Sequence, residues 1–166
     1  YEFILVYARD YNSVSFDVPV TKINLMEYIA EHKENNIGFY YTRVITDYGS
    51  KQFIGIERTG SGDEIKVYEH KGFQFSSISQ LSRQTGKSAE EIYTEYFNDV
   101  FMVTNAQTSI LTRVNSFVNE KNKLISYEYI PLTGRDKGTI TTKMIWNETL
   151  VVWLRDTAMK DSTGVY

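Results

Sequence analysis

From Ile37 to Tyr68 the hydrophobic pattern switches toward a period of two, and this constrains the fold more than any other feature of the chain. The runs IGFYYTRVIT, KQFIGIER and EIKVY are rich in β-branched and aromatic residues. DYGS and TGSGD, which carry turn chemistry, separate them. Together they predict a three-stranded antiparallel meander. LISYEYI and TITTKMIW, on either side of PLTGRDKG, predict a β-hairpin with a long basic tip. The opening YEFILVY is a continuous apolar run, the pattern of a strand buried on both faces of a sheet.

Between and around these runs the period changes to that of a helix. Asn24 is placed to cap a short helix in which Leu25, Met26 and Ile29 share a face. Ser76 or Ser77 can cap a second helix running through Arg83, with Gly86 suited to a left-handed stop. Ser88 opens a capping box with Glu91, ahead of an apolar stripe of Ile92, Tyr93, Tyr96, Phe97 and Val100. After a break near Thr104-Asn105, a third helix of this half puts Ile110, Leu111, Val114, Phe117 and Val118 on one face. Leu150, Val151, Trp153, Leu154 and Ala158 suggest a closing helix. The fold class is therefore α+β, a small antiparallel β-meander and a β-hairpin packed with three to four α-helices.

At 166 residues the chain fits one domain, or one with a small appendage. It contains no cysteine, which excludes disulfides, thiolate metal sites and cysteine nucleophiles. No apolar run is long enough for a membrane span, and no signal-peptide pattern opens the chain. A soluble, intracellular protein is expected. Position 1 is Tyr and the chain starts on a strand-like run, so it is expected to begin inside a longer polypeptide. The net charge of −3 divides into −4 over residues 1–70, +2 over 71–145 and −1 over 146–166. Only the middle is net positive, a small asymmetry that ordinary surface scatter also produces.

Motifs for chemistry are missing. There is no G-x-S-x-G elbow, P-loop or G-x-G-x-x-G, and Gly60-Ser61-Gly62 falls in a turn where glycine is expected anyway. His32 and His70 lack companions at metal-ligand spacing and read as surface histidines. Glu90, Glu91 and Glu95 lie in the opening turns of a helix, where acids favour the macrodipole. The segment 104–116 is different in kind. It holds no acid and one Arg among Thr, Ser, Asn and Gln, a composition that generic exposed helices avoid. Gln and Asn pair bidentately with adenine and Arg with guanine, while Ser and Thr reach either base or phosphate.

The candidate DNA-contact set on helix three and the break before it is thus Thr104, Asn105, Gln107, Thr108, Ser109, Arg113 and Asn115. Ser76 and Ser77 join it, with Arg83 and Lys87 as phosphate anchors flanking Gly86. Arg135 and Lys137 at the hairpin tip, with Lys143 behind them, can enter or straddle a groove. A solvated helix face and a merely flexible tip are the competing explanations.

The run F-x-S-x-x-x-L-S-R-x-T-G-K-S, then E-x-Y-x-x-Y-F, T-N-A-Q-T-S-I-x-T-R-V-N, S-Y-E-Y-I-P-L-T-G-R-D-K-G and W-L-R-D, resembles the target-recognition region of adenine-specific DNA methyltransferases, in particular the modification (Mod) subunits of type III restriction–modification systems. The likeness covers roughly residues 1–10 and 73–155, and 11–72 only loosely. It implies that residues 1–10 are a strand of a parent methyltransferase sheet. Residues 11–166 would form a target-recognition domain, with 11–72 mainly β meander plus a short helix and 73–166 helices plus the β-hairpin.

The only prolines are Pro19 and Pro131, so the D-P-P-Y motif of that family is missing, as is its F-x-G-x-G. The resemblance therefore implies a segment without its own catalytic site or cofactor, with S-adenosylmethionine bound in the rest of the parent enzyme. Implied partners are double-stranded DNA, the parent methyltransferase, a homodimer partner and a restriction subunit, in the cytoplasm and away from membranes. The alternative function is protein docking, for which Tyr40, Tyr41 and Tyr48 offer an aromatic face.

Overall fold

The computed structural model describes residues 24–35, 40–105, 109–117, 121–133 and 136–157. The expected first strand at residues 1–10 lies outside them, as do Gln107, Thr108, Val118, Arg135 and Ala158. Eight strands form one antiparallel sheet: β1 (Arg43–Asp47), β2 (Ser50–Arg58), β3 (Glu64–Lys71), β4 (Gln74–Ser77), β5 (Val100–Thr104), β6 (Leu124–Tyr129), β7 (Thr141–Trp146) and β8 (Thr149–Trp153). The helices are α1 (Leu25–Glu34), α2 (Ile78–Thr85), α3 (Ala89–Glu95) and α4 (Ser109–Val114), the last continuing as a 3-10 turn over Asn115–Phe117. This is the α+β class that the alternating periods predict.

Three helix starts follow their sequence chemistry. Asn24 Oδ1 accepts from the backbone N–H of Met26 at 2.8 Å. Ser77 Oγ accepts from Gln80 N at 3.1 Å, and Gly86 ends α2 in the left-handed conformation with its N–H on the Ser82 carbonyl. Ser88 and Glu91 complete a reciprocal capping box on α3, satisfying two N–H groups that a helix start otherwise leaves without a partner.

The D-Y-G-S segment does not reverse the chain. β1 pairs with β4 and β2 with β3, and the register runs on from Asp47↔Gln74 to Ser50↔Lys71. Residues 43–77 are therefore one long two-stranded ribbon, bent where Gly49 (φ +65°) meets the Lys71-Gly72-Phe73 backbone. Its outer strand edges continue the sheet on opposite sides, β3 to β6 and β1 to β5, in the order β2-β3-β6-β7-β8-β5-β1-β4. The expected meander is real for β2 and β3. The first of its three strands sits instead on the far side of the sheet, between β5 and the edge strand β4.

That order forces curvature. β1 and β2 lie six strand positions apart. In a flat sheet this is roughly 29 Å at about 4.8 Å per strand. The two-residue link from Asp47 to Ser50 reaches at most about 11 Å over three Cα steps of about 3.8 Å. The sheet must curl, and contacts across the curl confirm it: the ring of Phe75 on β4 is 4.7 Å from Trp146 on β7, with the Arg43 guanidinium 4.9 Å from the same indole.

Curling makes both faces core. On the inside, Ile45, Phe101, Leu124, Met144, Val151 and Trp153 form one buried cluster. On the outside, α1, α2 and α3 cover the β1–β5 half through Ile29, Leu81, Ile92 and Tyr93 against Val44 and Val100. α4 covers the other half, its Leu111 and Val114 packed on Ile65, Val67, Ile125 and Ile145. Each such buried aliphatic side chain contributes about 1.5–3 kcal/mol of hydrophobic stabilisation.

Four further expectations are corrected. Val100 does not extend the helix before it: α3 stops at Glu95 and Val100 begins β5. Thr149–Trp153 is a strand and not the start of a closing helix, which begins only at Leu154 and is described through 157. His70 is no surface residue. It is 7% exposed, on the inner face, with Nε2 2.8 Å from Ser126 Oγ and Nδ1 3.0 Å from the Tyr48 carbonyl. Burial holds its pKa below the usual histidine value. Nor do the tyrosines form one docking face, since Tyr40 is exposed, Tyr41 is buried under the helices and Tyr48 donates to Asp99 at 2.7 Å.

Candidate nucleic-acid interface

The polar residues singled out in the sequence fall into two groups on different halves of the helix layer. Ser76, Ser77, Arg83 and Lys87 belong to β4, α2 and the turn after α2. Thr104 ends β5 opposite Leu150, exposed Asn105 follows it, and Ser109 and Arg113 lie on α4. Asn115 opens the 3-10 turn after α4. The structure brings Arg113 to the β2–β3 turn, where its guanidinium donates to the Arg58 carbonyl and lies 3.6 Å from where a side chain on Gly60 would begin. Because Lys66 pairs with Glu128, that turn and the β6–β7 tip carrying exposed Lys137 leave the sheet on the same side. Lys143 sits in β7 opposite Tyr127, half-buried.

Several members are already engaged within the chain. Ser77 Oγ is committed to the α2 cap, and Arg83 Nε donates to the Ser79 carbonyl at 3.2 Å. Lys87 is ion-paired to Glu95 at 2.5 Å, a bond that raises its pKa. The pair is exposed and therefore adds little stability, but it halves the positive charge that the Gly86 break offers a phosphate. Guanidinium groups keep further donors after one internal bond, so Arg83 and Arg113 retain contact capacity.

Sequence reasoning missed a second arrangement. Between α2 and the bend of the ribbon lies a cleft of about 800 Å³, walled by Gln80 and Gln84 on one side and by Thr46, Gln74 and Ser76 on the other. Asn122 also lines it, as do Phe73 and Phe75, whose rings, stacked at 13°, turn to the inner face of the sheet, where Phe75 meets Trp146. Its signal was present in S-Q-L-S-R-Q: Gln80 and Gln84 are four apart, one turn of α2, and point away from buried Ile78 and Leu81. Gln74 could not have been placed, because its position depends on the ribbon bend. No cluster of three or more His, Asp or Glu residues that could hold a metal occurs among the described residues. No helix among them is long and apolar enough to cross a membrane.

A curled antiparallel sheet with its helices outside and its polar side chains on helix faces, turns and a cleft defines an α+β domain. Over 168 aligned residues, 99% of the chain, it is 30% identical to the probable type III restriction-modification enzyme HindVI Mod subunit of Haemophilus influenzae. The chain thus resembles one segment of a type III Mod subunit and spans 22% of the length of that relative. No family model matches the chain, and no solved structure matches it.

Proposed function

We propose that this chain is the sequence-specific DNA-recognition domain of a type III restriction–modification adenine-N6 methyltransferase. The observation that carries this reading is the likeness of nearly the whole chain to a fifth of a Mod subunit, in a segment with neither D-P-P-Y nor F-x-G-x-G. Recognition and chemistry are then separate. The parent's remaining residues hold S-adenosylmethionine and the target adenine flipped from the duplex, while this segment reads neighbouring bases and fixes orientation. Double-stranded DNA, the rest of the parent and a restriction subunit are the partners this implies, with a second Mod copy where the parent is dimeric.

Support comes from Arg113 at the β2–β3 turn, Lys137 on the adjacent tip, and a rigid barrel behind both. The decisive test exchanges residues 73–146 of the parent for those of a relative with a different target and maps the methylated sites. Specificity that travels with the segment is the expected result. Retention of the original sites by an active hybrid would overturn the proposal.

A second reading, protein docking, is favoured by Ile130, Leu132 and Ile140, which are 50%, 58% and 72% exposed around the β6–β7 tip. In that case the hybrid keeps its methylation sites and loses assembly with its partner subunit.

A further inference from the structure

The inner face of the curl holds a pocket of about 220 Å³ that the recognition reading does not use. It exists because one ladder stops early. β7 and β8 pair only at Ile145↔Leu150 and Trp146↔Thr149, so Thr142 and Trp153, which would face each other if the register ran on, are no longer joined. Tyr48, Lys51 and His70 of the ribbon line the same space, with Ser126 and Met144 between the two sides.

Its floor is polar but uncharged. His70 is 7% exposed and Ser126 1%. His70 Nδ1 faces the Tyr48 carbonyl, which can only accept, so Nδ1 carries the proton and Nε2 accepts from the Ser126 hydroxyl at 2.8 Å. Burial lowers the His70 pKa and keeps the ring neutral at pH 7. Tyr48, Met144 and Trp153 supply the apolar surface, suited to a flat or branched body.

The charged residues of the lining are both cations. Lys51 enters from β2 and Arg155 from the residues after β8, and no Asp or Glu lines the pocket among the described residues. Each cation has one carboxylate beside it: Lys51 Nζ is 2.6 Å from Glu128 Oε1, and Arg155 Nε is 3.5 Å from Asp156 Oδ1. An ammonium has three N–H groups and a guanidinium five, so both keep donors for a further acceptor. The Tyr48 hydroxyl is committed to Asp99 at 2.7 Å, whereas the Thr142 hydroxyl adds a donor at the exposed side. Two partly neutralised cations suit a monoanion better than a dianion.

Size limits the rest of the ligand. An apolar cavity of about 150 Å³ takes up benzene. The larger volume here accommodates a body of that size with one carboxylate attached.

We propose that this pocket binds a small monocarboxylate with an apolar body about as large as a benzene ring, its carboxylate on Lys51 and Arg155 and its body against Tyr48, Met144 and Trp153. The proposal does not rest on the recognition reading.

The test titrates the full chain, labelled with ¹⁵N, with benzoate, benzamide and inorganic phosphate. The indole N–H signals of Trp146 and Trp153 are followed, with Trp153→Phe to assign them. Benzoate should shift the Trp153 signal saturably. Benzamide, which lacks the charge, and phosphate, which lacks the body, should each bind at least tenfold more weakly. Arg155→Met should lower the affinity for benzoate about tenfold, and Arg155→Lys should retain most of it. Lys51→Met/Glu128→Gln removes the second cation with its partner, leaves the net charge unchanged and should act as Arg155→Met does.

Equal affinity for benzoate and benzamide, phosphate binding as tight as benzoate, or no saturable shift of Trp153 would overturn the proposal, as would benzoate affinity unchanged in a folded Arg155→Met. The comparison of the three probes on the unaltered chain decides even if a variant fails to fold. If benzoate does not bind while the segment exchange moves the methylated sites, the pocket fails and the recognition reading stands. If benzoate binds as expected and the exchange leaves methylation unmoved, the reverse holds.

Discussion

Gly49→Ala tests the closure of the barrel at its tightest point. Gly49 has φ +65°, and a Cβ there would lie 2.2 Å from the Lys71 carbonyl oxygen and 2.7 Å from the Phe73 nitrogen, against ordinary contacts of 3.4 Å or more. Both obstacles are backbone of the opposing strand, so the two halves of the ribbon must part by about 1 Å. The left-handed backbone alone costs an alanine roughly 1–2 kcal/mol. Forcing the strands apart adds about 1–3 kcal/mol by analogy with overpacked cores.

Gly72→Ala is the internal control. It lies on the facing bend at φ +76° with nothing within 4 Å of its Cβ, so it bears the conformational cost without the clash. Urea unfolding followed by the fluorescence of Trp146 and Trp153, both in contact with the inner cluster, reads the difference. With a slope of about 2 kcal/mol/M, Gly49→Ala should lower the midpoint by about 1.5 M and Gly72→Ala by about 0.5–1 M. Equal midpoints for the two variants would refute the close approach of the bends, and with it the argument that a single ribbon closes the sheet.

Acid should destabilise the fold through His70. Its folded pKa lies below that of the unfolded chain, so the unfolded state binds the extra proton: stability is full above about pH 6.5 and is lost as the pH falls toward the folded value, at no more than about 1.4 kcal/mol per pH unit. Urea midpoints measured from pH 7.5 to 5 should fall more steeply for the wild type than for His70→Gln. Ser88→Ala removes the hydroxyl half of a capping box and should cost about 1 kcal/mol. NMR titration should also show the Glu91 pKa, held down by the Ser88 N–H and hydroxyl, rising part of the way to its ordinary value. Arg113→Ala in the parent enzyme should weaken all duplexes alike and make the salt slope shallower by about one, the signature of a phosphate contact; a changed base preference in a binding assay would instead place Arg113 on a base edge.

What could be read from the sequence was local. Asn24, Ser77, Gly86 and the Ser88–Glu91 pair act through neighbours two to four residues away, and all of them cap as their types require. Misreadings arose where short apolar runs satisfy both periods. Tyr96, Phe97 and Val100 fit a helix stripe, yet Asp99 N and Val100 N both bond the Tyr96 carbonyl, and the chain turns there to enter β5. The run LVVWL also fits a helix period, but Asn147 (φ +48°) and Glu148 (φ +65°) form the two-residue reversal that makes β8 the partner of β7. Asn-Gly would have announced that hairpin; Asn-Glu does not. His70 is buried for a global reason: in an open sheet one face of β3 meets solvent, whereas curling puts Tyr48, His70 and Ser126 inside.

The same bend that closes the sheet also builds the cleft beside α2. Thr46 precedes it and Gln74 follows it, one on each strand of the ribbon, and Ile78, first residue of α2, is tied to the sheet by its N–H on the Thr42 carbonyl. The two walls of the cleft are thus held by one backbone feature, without help from a flexible loop. A displacement of about 1 Å at the bend therefore moves one wall of the cleft against the other. In Gly49→Ala the backbone signals of Thr46 and Gln74 should shift together with those of Gln80 and Gln84 while the protein is still folded. A variant that is destabilised but leaves the α2 signals unmoved would detach α2 from the closure of the sheet.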